Sequence, residues 1–388
     1  MNIEIITDNK CTGCFACANV CPKECISIRK NEEGFLFPEV NGSECIDCGK
    51  CVKICPAHNE VKLSSPIKVY AATGKNQEEI KNSSSGGAFF LFAQHIILEE
   101  HGYVCGAVLD ENLELRHIVT NNMNDVFRMQ GSKYIQSDIS ECIPQIIKLC
   151  EADRKVLFCG TPCQVAALES VIKKNRNNLI TVDLICHGVP SAKAFSEYIK
   201  KYYPDKEYDN FTFRQRNKFV LTVFAFLWTG NKKRIFANED PFFQAFLDGH
   251  NYRENCYSCR YAKAERAGDI TIGDCANGKA YLDFIGKPIS TIALNSKRGE
   301  WLWERTKDKM LYTSADYEKE CKLNKQLHRP VKRTSLRDNF YMDLTRLSKQ
   351  ELDAKYCAEL SLKEKVKQFL TWNIPAKIRY KIIRWVRR

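Results

Sequence analysis

This sequence lacks any long apolar run: no uninterrupted stretch approaches the length of a membrane-spanning helix. It opens Met1-Asn-Ile-Glu-Ile-Ile-Thr-Asp, with neither a basic leading region nor the apolar block of a secretory signal. A secreted disulfide scaffold is therefore not expected, and the natural setting for its thiols is a reducing, cytoplasmic one. Low-complexity segments are missing too. Acid is scarce in one place: from Ser361 to Arg388 a single acid, Glu364, stands against nine Lys and Arg. That tail carries +8, leaving only +4 of the formal +12 for the rest of the chain. A body so nearly balanced does not read as a nucleic-acid binder. At 388 residues the chain is long enough for two or three domains with a substantial core.

What it has in abundance is cysteine: 20 residues, nine of them between positions 11 and 55. Eight of the nine fall into one phrase written twice, at an offset of 34 residues. The first copy runs Cys11-Thr-Gly-Cys14-Phe-Ala-Cys17-Ala-Asn-Val-Cys21-Pro22, the second Cys45-Ile-Asp-Cys48-Gly-Lys-Cys51-Val-Lys-Ile-Cys55-Pro56. Each reads C-x2-C-x2-C-x3-C-P, the ligand run of a two-cluster bacterial ferredoxin. Three closely spaced thiolates can wrap one corner of an iron–sulfur cubane. The fourth points away and serves the other cluster. Cys11, Cys14, Cys17 and Cys55 are expected to hold one [4Fe-4S] cluster, and Cys21, Cys45, Cys48 and Cys51 the second. Zinc is the rival for four thiolates, but its sites usually come as two separated C-x2-C pairs. Cys25, outside both runs, reads as a spare buried thiol.

Residues 1–62 thus form an α+β ferredoxin-like module, and Leu63-Ser-Ser-Pro66 a short linker. Residues 66–335 alternate strand and helix patterns, which argues for an α/β layer with parallel pairing. Residues 211–236 switch to β-type alternation and read as hairpins. Residues 336–388 read as a helical, basic tail.

Several loops collect polar and sulfur residues at the ends of these elements. Ser83-Ser84-Ser85-Gly86-Gly87 precedes a helix and could cradle a phosphate or simply cap that helix. Gln130-Gly-Ser132-Lys133-Tyr134 offers a cation and a ring. Gly160-Thr-Pro-Cys163 and Cys186-His187-Gly188 follow predicted parallel strands, where open α/β sheets place their sites. Cys163 could be a nucleophile with His187 as its base. Alternatively Cys163, Cys186, Cys256 and Cys259 could hold a third cubane. Arg253, Arg260 and Arg266 lie close in sequence to the last pair. They could pair with Asp269 and Asp274 or hold an anionic substrate.

Gly160-Thr-Pro-Cys-Gln, Asp183-Leu-Ile-Cys-His-Gly-Val-Pro-Ser191, Arg253-Glu-Asn-Cys-Tyr-Ser-Cys259 and Arg266-Ala-Gly-Asp-Ile-Thr-Ile-Gly-Asp274 together resemble the coenzyme F420 hydrogenase/dehydrogenase beta-subunit family. Ser84-Ser-Gly-Gly87 and Gly131-Ser-Lys-Tyr134 fit its amino-terminal half. The resemblance covers about residues 65–330. It implies an FAD- and [4Fe-4S]-binding core that passes electrons to an organic acceptor: F420 in methanogens, a chlorophyll derivative in a plant relative. Bacterial members often accompany polysaccharide-synthesis genes. On this resemblance Ser84, Ser85, Gly86, Gly87, Ser132, Lys133 and Tyr134 hold FAD, and His187 is the candidate proton donor. A low-potential donor such as ferredoxin would supply the electrons. Where the family usually has an aromatic followed by Trp-Gly, this chain has Cys275-Ala276-Asn277. Two rival functions remain: an electron-transfer subunit that feeds a separate catalytic partner, and a Cys163/His187 transferase with structural clusters.

The tail adds one more motif. Ile378, Ile382, Trp385 and Val386 can share a helix face bordered by Lys and Arg. This reads either as peripheral contact with the inner membrane surface or as a helix docked on its own core.

Overall fold

The computed structural model describes residues 1–6, 9–172, 174–204, 212–214, 236–375, 378 and 381. Most of the hairpin region expected at 211–236 lies outside them. The leading module carries one antiparallel pair, β1 (Ile26–Lys30) and β2 (Leu36–Val40), between the two cysteine runs.

The rest of the chain is built on one mixed sheet. Its strands are β3 (Lys68–Gly74), β4 (Tyr103–Leu109), β5 (Leu115–Thr120), β6 (Val156–Gly160), β7 (Leu179–Leu184), β8 (Ile270–Asp274), β9 (Ser290–Leu294) and β10 (Met310–Ser314). They lie in the order β10-β3-β9-β8-β7-β6-β4-β5. β4, β6, β7 and β8 are parallel neighbours, and the remaining pairings are antiparallel. β3, two antiparallel steps from β8, points the same way. One edge of the sheet therefore collects the carboxyl ends of five strands. Three of the polar loops follow strands that end there: Ser83–Gly87 comes after β3, Gly160–Cys163 after β6 and Cys186–Gly188 after β7.

Local chemistry sets the elements behind these strands. Pro162 starts the helix Pro162–Val171, and Thr161 and Gln164 close its amino end with a reciprocal capping box. Ser191 caps the helix Ala192–Tyr202. The helix Ala88–Leu98 buries Phe90, Leu91, Phe92, Ala93 and Ile96. It packs with Val104, Leu157 and Val182 of the sheet in the largest core cluster. Gly87 enters that helix at φ 83, and a Cβ there would stand 2.3 Å from Ile80, so glycine is required.

A second, aromatic-rich cluster joins Phe195, Tyr198, Phe242 and Phe243 to Phe340, Leu344, Leu352 and Tyr356. The last four come from the helices Leu336–Arg346 and Lys349–Tyr356. The expected tail thus divides. Its first two helices are packed into the body, while in the helix Leu362–Asn373 none of the described residues is buried.

The module docks on this body through arginines. The buried Arg253 guanidinium donates to Cys11 O at 2.8 Å and Leu36 O at 3.0 Å, and lies 4.1 Å from the Phe37 ring centre. Arg260 donates to Asn59 O at 2.6 Å. Arg337 takes both Glu33 carboxylate oxygens at 2.7 Å.

Candidate functional site

The two cysteine phrases fold alike. In the first, Gly13 (φ 65) and Phe15 (φ 55) are left-handed; in the second, Asp47 (φ 50) and Gly49 (φ 70) hold the same places. Two reversed residues in four turn the backbone so that three consecutive cysteines face one point. A short helix follows in each copy, Ala16–Asn19 and Lys50–Ile54, and places the fourth cysteine on the far side.

The sulfurs consequently gather in crossed sets. Cys11, Cys14, Cys17 and Cys55 line one cavity of about 340 Å³. Cys21, Cys45, Cys48 and Cys51 line another, also of about 340 Å³. Cys25 lies on this second cavity too, its sulfur 3.4 Å from that of Cys21. Cys48 is exposed, whereas Cys14 and Cys17 are buried against the body. Cys14 and Ala16 belong to the same core cluster as Ile139, Val165 and Leu168.

A third cavity, of about 760 Å³, opens at the carboxyl edge of the sheet. Cys163 reaches it from the first turn of Pro162–Val171, Cys186 from the loop after β7, and Cys256 and Cys259 from a turn after the helix Pro241–Asp248. Thr12 lines both this cavity and the Cys11 cavity, so the two adjoin. Gly188, at φ 139, lets the Cys186 loop turn under Tyr252, whose ring would stand 2.3 Å from any Cβ. The sulfurs face an enclosed space rather than bulk water, and this desolvation pushes the Cys163 and Cys186 thiols up to about 12. Without a metal they would be protonated and inert. Cys163 Sγ lies 3.2 Å from Thr161 Oγ1, a poor arrangement for a nucleophile that needs a base beside it. His187 lines the same cavity with its side chain exposed.

All cysteines are free thiols. Among the described residues no three His, Cys, Asp or Glu side chains converge closely enough for a single metal ion. The thiols ring cavities instead, as ligands at the corners of a cluster would. Four Cys at zinc would meet at one centre about 2.3 Å away.

The loops expected at a flavin are joined to one another. Ser132 N donates to Ser84 Oγ at 2.6 Å, and Gln130 Nε2 to Ser83 Oγ at 3.1 Å. Ser85 Oγ donates to Ile289 O at 2.6 Å, and Gly86 N to Ser290 Oγ at 2.9 Å, tying the loop to β9. Lys133 Nζ donates to Met129 O, Gln130 O and Gly131 O at 2.9, 2.9 and 3.2 Å. Its three donors are filled, so it braces the carboxyl end of the helix Met123–Met129.

The arginine pairings differ from the expected ones. Arg266 pairs with Asp183 at 3.4 Å, Asp269 with Arg176 and Arg298, and Asp274 with Arg214 at 2.7 Å. Cys275 stays off the third cavity: its sulfur is 3.9 Å from a carboxylate oxygen of buried Glu320, which also accepts from Ala276 N and Asn277 N. Sequence reasoning missed this Glu320 cradle and the role of Arg253, because both join segments far apart in the chain.

Residues 153–320 match the family model for the carboxyl-terminal part of the coenzyme F420 hydrogenase/dehydrogenase beta subunit. Residues 10–59 match the "4Fe-4S dicluster domain" model. The chain belongs to the coenzyme F420 hydrogenase/dehydrogenase beta-subunit family. This family member is 25% identical over 212 residues to a subunit of the F(420)H(2) dehydrogenase of Methanosarcina mazei, covering 51% of this chain and 60% of that protein. Its dicluster domain is 31% identical over 61 residues to ketoisovalerate oxidoreductase subunit VorC of Methanothermobacter marburgensis, covering 15% of this chain and 77% of that one. A chain of the F420-reducing [NiFe] hydrogenase complex from Methanosarcina barkeri aligns with a TM-score of 0.48 at 18% identity, over 80% of this chain and 95% of that one.

Proposed function

We propose that this chain is an iron–sulfur flavoprotein oxidoreductase. It takes electrons from a low-potential, ferredoxin-type donor, carries them on three [4Fe-4S] clusters and delivers them by way of FAD to an organic acceptor. One observation carries the reading: three cavities, each ringed by four thiols, lie between exposed Cys48 and the loop edge of the sheet. Cys21, Cys45, Cys48 and Cys51 would hold the outer cluster, and Cys11, Cys14, Cys17 and Cys55 the inner one. Cys163, Cys186, Cys256 and Cys259 would hold the third.

The Ser84–Gly87 loop, Ser132 and the Tyr134 ring would hold FAD. Lys133 would act as a positioning residue, keeping the Gln130–Tyr134 loop in place through three carbonyls. A bound flavin supplies the exchange between one-electron and two-electron chemistry. His187, at the rim of the third cavity, is the candidate proton donor to the acceptor.

The test is anaerobic purification with iron, sulfide and flavin counted per chain. The expected result is about twelve irons and twelve sulfides and one flavin. Iron for the leading module alone, with no flavin, would overturn the reading of the core. A second reading, an electron-transfer subunit without a substrate of its own, draws support from the relatives, several of which are named as subunits. The chain spans about 60% of the length of the first of them. The readings separate on one measurement: turnover of a small acceptor by the purified chain favours the enzyme, and flavin reduction without turnover until a partner is added favours the subunit.

A further inference from the structure

The helix Leu362–Asn373 has no part in the chemistry above. Ser361 and Glu364 close its amino end with a capping box, so it is built to be a helix. At about 100° per residue, Leu362, Val366, Phe369 and Leu370 fall into one stripe about 100° wide. Lys363 and Lys365 stand on its two borders. A helix of this pattern normally buries its stripe against the protein. Here Leu362 is 80% exposed, Val366 51%, Phe369 66% and Leu370 42%. The helices just before it behave otherwise: Phe340, Leu344, Leu352 and Tyr356 are buried in the body. The sequence then continues with Lys377, Arg379, Lys381, Arg384, Arg387 and Arg388, and between Glu364 and the end there is no further acid.

The occupant of this face must satisfy two demands at once: cover an apolar stripe and neutralise a dense set of cations. We infer that Leu362–Asn373 lies in the surface of an anionic lipid bilayer. Its apolar stripe faces the acyl chains, and Lys363 and Lys365 reach sideways to the phosphates. The basic segment beyond it is held by the negative surface potential. Among the described residues no helix is long and apolar enough to cross a membrane, so this helix lies along the surface.

The test uses the full holoprotein, prepared under argon and floated with vesicles. One set is pure phosphatidylcholine; the other contains about a third phosphatidylglycerol. Wild type should float with the anionic vesicles at least about tenfold better than with the neutral ones, and high salt should release it. Val366→Glu with Phe369→Glu should remove about nine-tenths of that binding, with iron content unchanged. Lys363→Glu with Lys365→Glu, which leaves the stripe intact, should also weaken it. Absence of flotation, equal binding to both vesicle types, or full binding by the glutamate variants would overturn the inference. So would a wild type that ignores vesicles but forms a dimer which the stripe variant abolishes; that would make the face a contact between copies.

Discussion

In the leading module, eight cysteines lie within two short runs, and each run lends its last thiol to the other run's cavity. In the core, four cysteines spread from residue 163 to residue 259 meet only because strand ends and helix starts bring them to one place. The surroundings differ as much as the spacing. Four of the seven buried residues in the module's own cluster are cysteines: Cys17, Cys25, Cys51 and Cys55. The largest core cluster has no cysteine among its buried members and is made of Phe, Leu, Ile and Val on a sheet and its helices. The module therefore depends on what its thiols bind, and the core does not. A segment with so little apolar burial cannot offset its chain entropy alone.

The widest separation between the two regions should follow removal of iron. After chelation under oxidising conditions, amides of residues 9–60 should exchange at rates near those of an unfolded chain. Amides of β4, β6, β7 and β8 should keep their protection, read by hydrogen exchange with mass spectrometry. Uniform loss of protection across the chain would show that the core needs metal as much as the module does.

Single thiols should show the same contrast. Cys55→Ala opens the inner cavity and also breaks the cross-tie between the runs. It should remove both module clusters, about eight of twelve irons per chain. Cys163→Ala should remove about four and leave the module's spectrum intact, because Thr161, Pro162 and Gln164 hold that helix start without the sulfur. Iron content and visible absorbance after anaerobic purification check both. Equal losses from the two variants would break the comparison.

The seam between the regions is held chiefly by Arg253. Its buried guanidinium serves two module carbonyls, Cys11 O and Leu36 O, and packs on Phe37. Arg253→Met keeps much of the volume but leaves those carbonyls unpaired. It should weaken docking by about 3 kcal/mol and expose the segment at residues 63–66 to protease. Unchanged cleavage there would mean that Arg337 and Arg260 suffice.

These differences also mark what was legible in the sequence. The eight module cysteines could be sorted into crossed sets because the spacing alone carries the geometry. The strand–helix alternation was legible as well, since buried strands and capped helices leave local patterns. The set Cys163, Cys186, Cys256 and Cys259 was reachable only through the likeness of four motifs to a family, as nothing local connects residue 163 to residue 259. Arg253 stood out as a cation, but not its partners, because Cys11 and Leu36 lie more than two hundred residues away. Lys133 looked like a phosphate ligand by residue type. Its three carbonyl partners come from the turn that ends the helix before it, a geometry that composition does not announce.

The smallest expected effect concerns acid. His117, on β5 in the core, is buried beside Phe158, and its Nε2 lies 3.0 Å from Cys159 O. Burial lowers its pKa to about 4, against about 6.5 in an unfolded chain. Between those values the unfolded state binds the extra proton, so core stability is full above about pH 6.5 and falls as pH drops toward 4. At pH 5.5 the loss should be about 1–2 kcal/mol, seen as a lower thermal midpoint for the core than at pH 7. His117→Phe keeps a ring against Phe158 and removes the titration. Its midpoint should start lower, for want of the bond to Cys159 O, yet fall less between pH 7 and pH 5.5. The module, whose His58 lies outside the core, should show no such shift in the variant. If the variant and the parent lose the same amount on acidification, the pH response belongs to the carboxylates of the arginine pairs and not to this imidazole.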